Sequence, residues 1–199
     1  MKRIFWTILG MTIGLGLVLI AWYVTQRNYA YQGVVIDPPA PAADFELADQ
    51  HGQPFHLRGQ QGKIVLIFFG YTNCPDVCPV TLSEYKQIKA QLGEQAENVR
   101  FVFITVDPER DSPERLAAYL ANFDSTFIGL SGTRAQLEPI WRSYGVYQEK
   151  RDVGSASGYL VDHTAITFLI DAQSNWHINY PFGMETEKIV ADLQHLIKE

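Results

Sequence analysis

Cysteine is scarce in this chain: there are two, Cys74 and Cys78, among 199 residues. That count excludes a disulfide-rich scaffold, which replaces a core with several cross-links. An excess of basic charge is missing as well. Formal net charge is −6, and setting aside Lys2 and Arg3 near the N-terminus leaves −8 on the remainder. An acidic balance argues against nucleic acid, which binds a basic face. No internal repeat or low-complexity tract occurs. Apolar residues are plentiful, at 47% of the chain. A chain of this length and composition fits one domain with a substantial core, plus an appendage.

Only one apolar run is long. Residues 4–24 carry no charge, and 21 residues at a rise of about 1.5 Å each span the roughly 30 Å of a bilayer core. Lys2 and Arg3 precede the run, and Trp6, Trp22 and Tyr23 sit near its ends, where interfacial aromatics belong. A cleaved signal peptide would have a shorter apolar region closed by a small-x-small site, and no well-framed site follows. Residues 1–24 therefore read as a single transmembrane anchor. The positive-inside bias puts its N-terminus in the cytoplasm and the rest of the chain on the extracytoplasmic, periplasmic side of the cell membrane. Residues 25–43, with Pro38, Pro39 and Pro41 among alanines, read as a polyproline-leaning linker. The globular part is expected over 44–199.

The chain is organised around residues 70–81, GYTNCPDVCPVT. An uncharged, apolar stretch at 64–69 precedes them and reads as a buried strand. Leu82, Tyr85, Ile88 and Leu92 follow on one face of a helix. The cysteines thus fall where a strand ends and a helix begins, with Pro79 expected as the first helical residue. A helix N-terminus favours thiolate over thiol. A purely structural disulfide would close a loop too small to restrain the unfolded chain by more than about 2 kcal/mol. Redox chemistry and metal binding both remain open on the cysteines alone, and a third residue is needed to separate them.

Elsewhere, strands and helices alternate. Phe45 and Leu47, then Phe55 and Leu57, alternate with polar residues across a turn and predict a β-hairpin. Residues 99–106 read as a second buried strand, in the spacing of a right-handed parallel crossover. A charged loop, DPERD at 107–111, follows it, and Ser112 then caps a helix whose first residue is Pro113. Strands are expected at 126–130, 146–151, 159–161, 165–170 and 176–180, and helices at 133–144 and near the C-terminus. Residues 152–158, DVGSASG, read as a flexible loop. Together these give an α/β domain with a mixed central sheet, parallel in its middle and sandwiched by helices.

His163 lies between that loop and a strand, and strand ends are where ligands gather in such domains. On spacing alone it is a candidate third residue, no more. His51, His56, His177, His195 and Met184 sit in turns, hairpins or helix ends and are weaker candidates.

Three blocks, GYTNCPDVCPVTL, TVDPERDSPERL and YLVDHTAITFLID, resemble the signature blocks of the Sco/SenC family of copper-binding cytochrome oxidase assembly proteins. The resemblance covers about 44–199, and an N-terminal anchor suits the family. It implies a thioredoxin-like three-layer α/β/α domain and copper bound by Cys74, Cys78 and His163, the cysteines being a redox-active pair able to form a disulfide. The implied role is a membrane-anchored copper chaperone. Its partners would be the copper-site subunit of cytochrome c oxidase and a thiol reductant or upstream copper donor. The chemistry suits the residues, because soft thiolates select Cu(I) and imidazole tolerates both oxidation states. Asp162 or a backbone carbonyl could orient the imidazole. Two features depart from thioredoxins proper: three residues, not two, separate the cysteines, and Thr164-Ala165 stands where a thioredoxin places a cis-proline. A thiol–disulfide reductase in which His163 is incidental, or a redox or copper sensor, are the other readings.

Overall fold

The computed structural model describes residues 2–27, 29–155 and 158–199. Within them the chain forms α1 (Lys2–Arg27), β1 (Val34–Pro41), β2 (Glu46–Asp49), β3 (Pro54–His56), β4 (Ile64–Gly70), α2 (Val77–Leu92), β5 (Val99–Thr105), α3 (Pro113–Leu120), β6 (Ile128–Ser131), α4 (Arg134–Ser143), β7 (Gln148–Ser155), β8 (Gly158–His163), β9 (Ile166–Ile170), β10 (Asn175–Pro181) and α5 (Thr186–Leu196). The chain divides into two units, residues 1–31 and 32–199.

The first unit is α1, one helix of 26 residues whose described apolar side chains, such as Leu17 and Val18, are exposed. Among the described residues no helix is long and apolar enough to cross a membrane.

In the second unit, an eight-stranded sheet runs in the order β1-β10-β9-β4-β5-β6-β2-β3. β4, β5 and β6 are parallel, and every other pairing is antiparallel. β4 lies between β5 and β9 and all seven of its residues are buried, as its unbroken apolar sequence requires of a strand covered on both faces. On one face Phe68 and Phe103 lie side by side, Tyr119 of α3 packs on Phe103, and Tyr85 of α2 packs on Phe101 and Phe127. On the other, Tyr144 at the end of α4 packs on Phe69, Phe168 and Trp176. Helices therefore cover both faces of the mixed sheet, and the expected hairpin β2–β3 sits at one edge.

The expected linker is shorter than its composition suggests. Val34–Pro41 pairs with β10 as the opposite edge strand, with a register shift between Val35 and Ala40 that takes up Pro38 and Pro39. An edge strand tolerates proline because half of its N–H groups have no partner to lose. The backbone N–H groups of Gln32 and Gly33 donate to the buried Asp192 carboxylate, at 3.0 and 3.2 Å. A Cβ on Gly33 would lie 2.3 Å from Ile178, so only glycine fits there.

The stretch expected as a loop, 152–158, is mostly strand. β7 and β8 pair antiparallel from Gln148↔His163 to Asp152↔Tyr159 and again at Ser155↔Gly158, while residues 156 and 157 lie outside the described set. Gly154 and Gly158 both have positive φ, which lets a glycine-rich sequence close a hairpin. This hairpin forms a two-stranded sheet of its own.

Candidate metal centre

β4 ends at Gly70, where a Cβ would come within 2.8 Å of the Cys78 sulfur and of Phe103. The sulfur therefore packs directly on the strand's backbone. The next residues turn sharply: the Cys74 N–H donates to the Tyr71 carbonyl at 3.2 Å. The turn is pinned from the β5–α3 loop. Asp111, a buried carboxylate, accepts from the Thr72 hydroxyl at 2.6 Å, from the Thr72 N–H at 3.1 Å and from the Thr105 hydroxyl at 2.7 Å. Arg115 donates to the Thr72 hydroxyl at 2.8 Å and to the Asn73 side chain.

α2 begins at Val77, two residues before the expected Pro79. Pro79 is still in the first turn, where its N–H would have had no helical partner, so the earlier start costs nothing. As a result Cys78 is the second helical residue, and its N–H points at the Cys74 sulfur across 3.5 Å. Cys78 is wholly buried and Cys74 half-buried, and both thiols are free. The pair shares its protons unequally. Hydrogen bonding from the Cys78 thiol, with further help from His163 and the backbone N–H groups of Asp76 and Cys78, holds Cys74 down at about 4. Burial, and then the neighbouring Cys74 sulfur, push Cys78 well up. The arrangement is a thiolate facing solvent beside a thiol facing the core.

His163 closes β8 and reaches the same place from 85 residues away in sequence. Its ring stands edge-on to Phe68 and Tyr71, with centroids 5.9 and 5.7 Å apart. Nδ1 lies 3.1 Å from the Thr164 carbonyl, which can only accept, so Nδ1 carries the proton. Nε2, the other ring nitrogen, faces the Cys78 sulfur at 3.4 Å. All three donor atoms lie within 4.8 Å of one another, a spacing that one ion bonded at roughly 2.0 to 2.3 Å can bridge. Among the described residues this is the one group of three or more Cys, His, Asp or Glu donors placed to hold a metal.

The other candidates lie elsewhere. His56 faces Glu46 at 3.5 Å, His177 faces Asp171 at 3.9 Å, and His195 faces Glu199 at 3.1 Å. His51 is exposed in its turn, and Met184 lies beyond Gly183 before α5. Asp162 points away from His163 and pairs with Arg151 at 3.3 Å, so of the two candidates for orienting the imidazole it is the carbonyl, that of Thr164, that does so. Sequence reasoning missed Phe68, Tyr71 and Asp111 as supports. Phe68 read as part of the buried strand, Tyr71 as part of the stretch around the cysteines, and Asp111 as part of a charged loop.

The fold and the site together define a thioredoxin-like domain with two sulfurs and one nitrogen placed where they could hold a metal ion. The family model described as SCO1/SenC matches residues 36–198, and the chain belongs to that family. It is 34% identical over 173 residues to a SCO2-like protein of Rickettsia conorii, covering 85% of this chain and 84% of the relative. Among solved structures, it resembles ScoI of Bradyrhizobium japonicum with copper bound, at 38% identity and TM-score 0.73, over 79% of this chain and 99% of that one. It also resembles yeast Sco1 with copper bound, at 30% identity and TM-score 0.72, over 81% and 90% of the two chains.

Proposed function

We propose that this protein is a copper chaperone that holds copper between Cys74, Cys78 and His163 and hands it to the binuclear copper site of cytochrome c oxidase. The observation that carries the reading is the convergence of two sulfurs and an imidazole nitrogen within 4.8 Å. The donor set suits copper: thiolates favour Cu(I), and the imidazole keeps the site usable by Cu(II). Metal binding would displace the Cys78 proton, so loading requires the reduced pair and releases protons. Three protein donors leave room for an incoming ligand, and a half-exposed Cys74 gives a partner's ligand a place to enter. Cargo can then pass by stepwise exchange of donors.

We further propose that α1 anchors the domain to the cell membrane with the domain outside the cytoplasm. The uncharged run at 4–24, the preceding Lys2 and Arg3, and the terminal aromatics support it. The copper-site subunit of the oxidase is the proposed partner, with an upstream copper donor and a thiol reductant serving the loading step.

The experiment is copper titration of the reduced protein, wild type against His163→Ala. Loss of Cu(II) affinity by more than about a hundredfold in the variant supports three-donor binding, since an outer-shell partner alone is worth 10- to 100-fold. Unchanged affinity and spectrum contradict it.

One observation favours thiol–disulfide reduction of the partner's cysteines as a second reading: Cys74 is the half-exposed, acidic member of the pair. Its thiolate would attack one sulfur of the partner's disulfide, breaking that S–S bond, releasing the partner's other sulfur as a thiolate and forming a mixed disulfide. The Cys78 sulfur, after losing its proton to solvent, would then displace the partner's thiolate and leave Cys74–Cys78 oxidised. Disulfide reduction that persists at full rate in His163→Ala would favour this reading over copper delivery.

A further inference from the structure

His163 sits at the end of a hairpin that is not part of the main sheet, so something other than sheet pairing must set its position. At the base of the hairpin, Tyr147 and Thr164 are joined by the Thr164 N–H to the Tyr147 carbonyl at 3.1 Å and the Tyr147 N–H to the Thr164 hydroxyl at 2.9 Å. The His163 ring packs on Phe68 and Tyr71, and the Ala165 carbonyl accepts from the Phe182 N–H where β9 begins; the polar contacts of the hairpin itself to the body of the domain come from further along β8. The Tyr71 hydroxyl accepts from the Val161 N–H at 3.2 Å. The denser set falls on Tyr159, four residues before His163.

The Tyr159 ring lies between two cations, the Arg110 guanidinium 3.7 Å from its centroid and the Lys150 ammonium 4.5 Å away. Its hydroxyl donates to Asp107 at 2.6 Å, and its carbonyl accepts from Arg110 at 2.9 Å. Asp107 and Arg110 are themselves paired, and Asp107 is wholly buried in the loop that leaves β5. Lys150 on β7 adds a 3.4 Å ion pair to Glu109 in the same loop. That loop also carries Asp111, which pins Thr72 beside the cysteines. One short segment therefore holds both halves of the metal centre: the sulfur turn through Asp111 and the histidine hairpin through Asp107 and Arg110.

We propose that Arg110 and Tyr159 form a clasp that holds β8 against the β5–α3 loop and thereby sets His163 within bonding distance of the sulfurs. Both are positioning residues, because neither reaches the donor atoms. Releasing the clasp frees the nitrogen donor while leaving the two sulfurs in place. The site then loses its Cu(II) character before its Cu(I) affinity, since Cu(II) depends more on the imidazole. The copper part of this inference rests on the copper-binding reading above; the mechanical part does not.

The test uses Tyr159→Leu in the full-length protein, which keeps the Asp107–Arg110 pair and removes the ring and hydroxyl. In metal-free protein, backbone amides at 158–163 should exchange about tenfold faster while those of β4 are unchanged. In Cu(II) titrations, affinity should fall about tenfold and the nitrogen hyperfine signal weaken, with Cu(I) affinity within about threefold of wild type. Tyr159→Phe, which keeps the ring between its two cations, should recover most of both effects. If Tyr159→Leu does not fold, Tyr159→Phe carries the same readouts with about a threefold effect. Unaltered exchange at 158–163 overturns the clasp. Faster exchange with an unaltered Cu(II) signal, in a protein whose His163→Ala variant loses that signal, overturns the positioning role. A His163→Ala variant with wild-type copper binding sinks the copper reading instead, and the exchange measurement then judges the clasp alone.

Discussion

The metal centre is built from two regions held in different ways. The sulfur side grows from β4, seven buried residues hydrogen-bonded on both edges, and from a helix start whose sulfur rests on Gly70. The nitrogen side grows from β8, a partly exposed strand paired only with β7. The first is fixed by burial and sheet pairing, the second by a few polar contacts at the β5–α3 loop. Burial over a whole strand resists local opening, whereas a hairpin secured by side chains opens at lower cost. A site with one firm side and one releasable side would suit the proposed uptake and handover of copper.

The largest expected effect breaks the firm side. Cys78→Ala removes a buried sulfur donor, and Cu(I) affinity should fall by more than about a hundredfold in competition with a chromophoric chelator. A fall as small as that of a hairpin variant would erase the distinction between the two sides. Gly70→Ala comes next. Its Cβ would collide with the Cys78 sulfur, Phe68 and Phe103, all held in the core, and denaturant unfolding should show a loss of about 1–3 kcal/mol from overpacking. Wild-type stability in that variant would mean the sulfur is less firmly seated than the strand that carries it.

A third measurement sharpens the asymmetry within the pair. Cys74 is depressed to about 4 in the folded chain from an ordinary value near 9, so its thiolate stabilises the fold most fully above about pH 9, and that contribution is lost as pH falls through about 4. The alkylation rate of Cys74 by iodoacetamide should therefore hold a plateau from pH 8 to about pH 5 and halve near pH 4. Cys78, buried and pushed up, should be alkylated only after the protein unfolds. A rate still rising between pH 7 and 9 would contradict the thiolate assignment. The smallest effect is expected at the outer face of the hairpin. Asp162→Asn breaks an exposed pair with Arg151, and copper affinity should stay within about threefold. A larger loss would give Asp162 the orienting role that the geometry gives to the Thr164 carbonyl.

How much of this was readable in advance follows the same division. The apolar run at 64–69 and the face made by Leu82, Tyr85, Ile88 and Leu92 announce a buried strand and its helix, and all four of those side chains are buried. Burial and periodicity are local signals, so the sulfur half was legible from the residues themselves. The nitrogen half was not. His163 meets Cys78 only through tertiary structure, and before coordinates its role rested on resemblance to a family. Both strands of the hairpin were expected in part, at 146–151 and 159–161, but the extension of the pairing into 152–158 was masked by glycine and serine, which read as a loop. The strand at 34–41 was hidden by its prolines, which suit an edge as well as a spacer. Asp107 and Arg110 read only as part of a charged loop, because charge is the usual mark of a surface. Here Asp107 is wholly buried; Arg110 pairs with it from the same loop, and Tyr159 reaches it from β8, some fifty residues later.

The central claim is that two sulfurs and one imidazole nitrogen bind the same ion. X-ray absorption at the copper edge of the loaded full-length protein tests it most directly. The account predicts a first shell of two sulfurs and one nitrogen, with the nitrogen contribution lost in His163→Ala and both sulfurs retained. A shell without sulfur, or a nitrogen contribution unchanged in that variant, would contradict it.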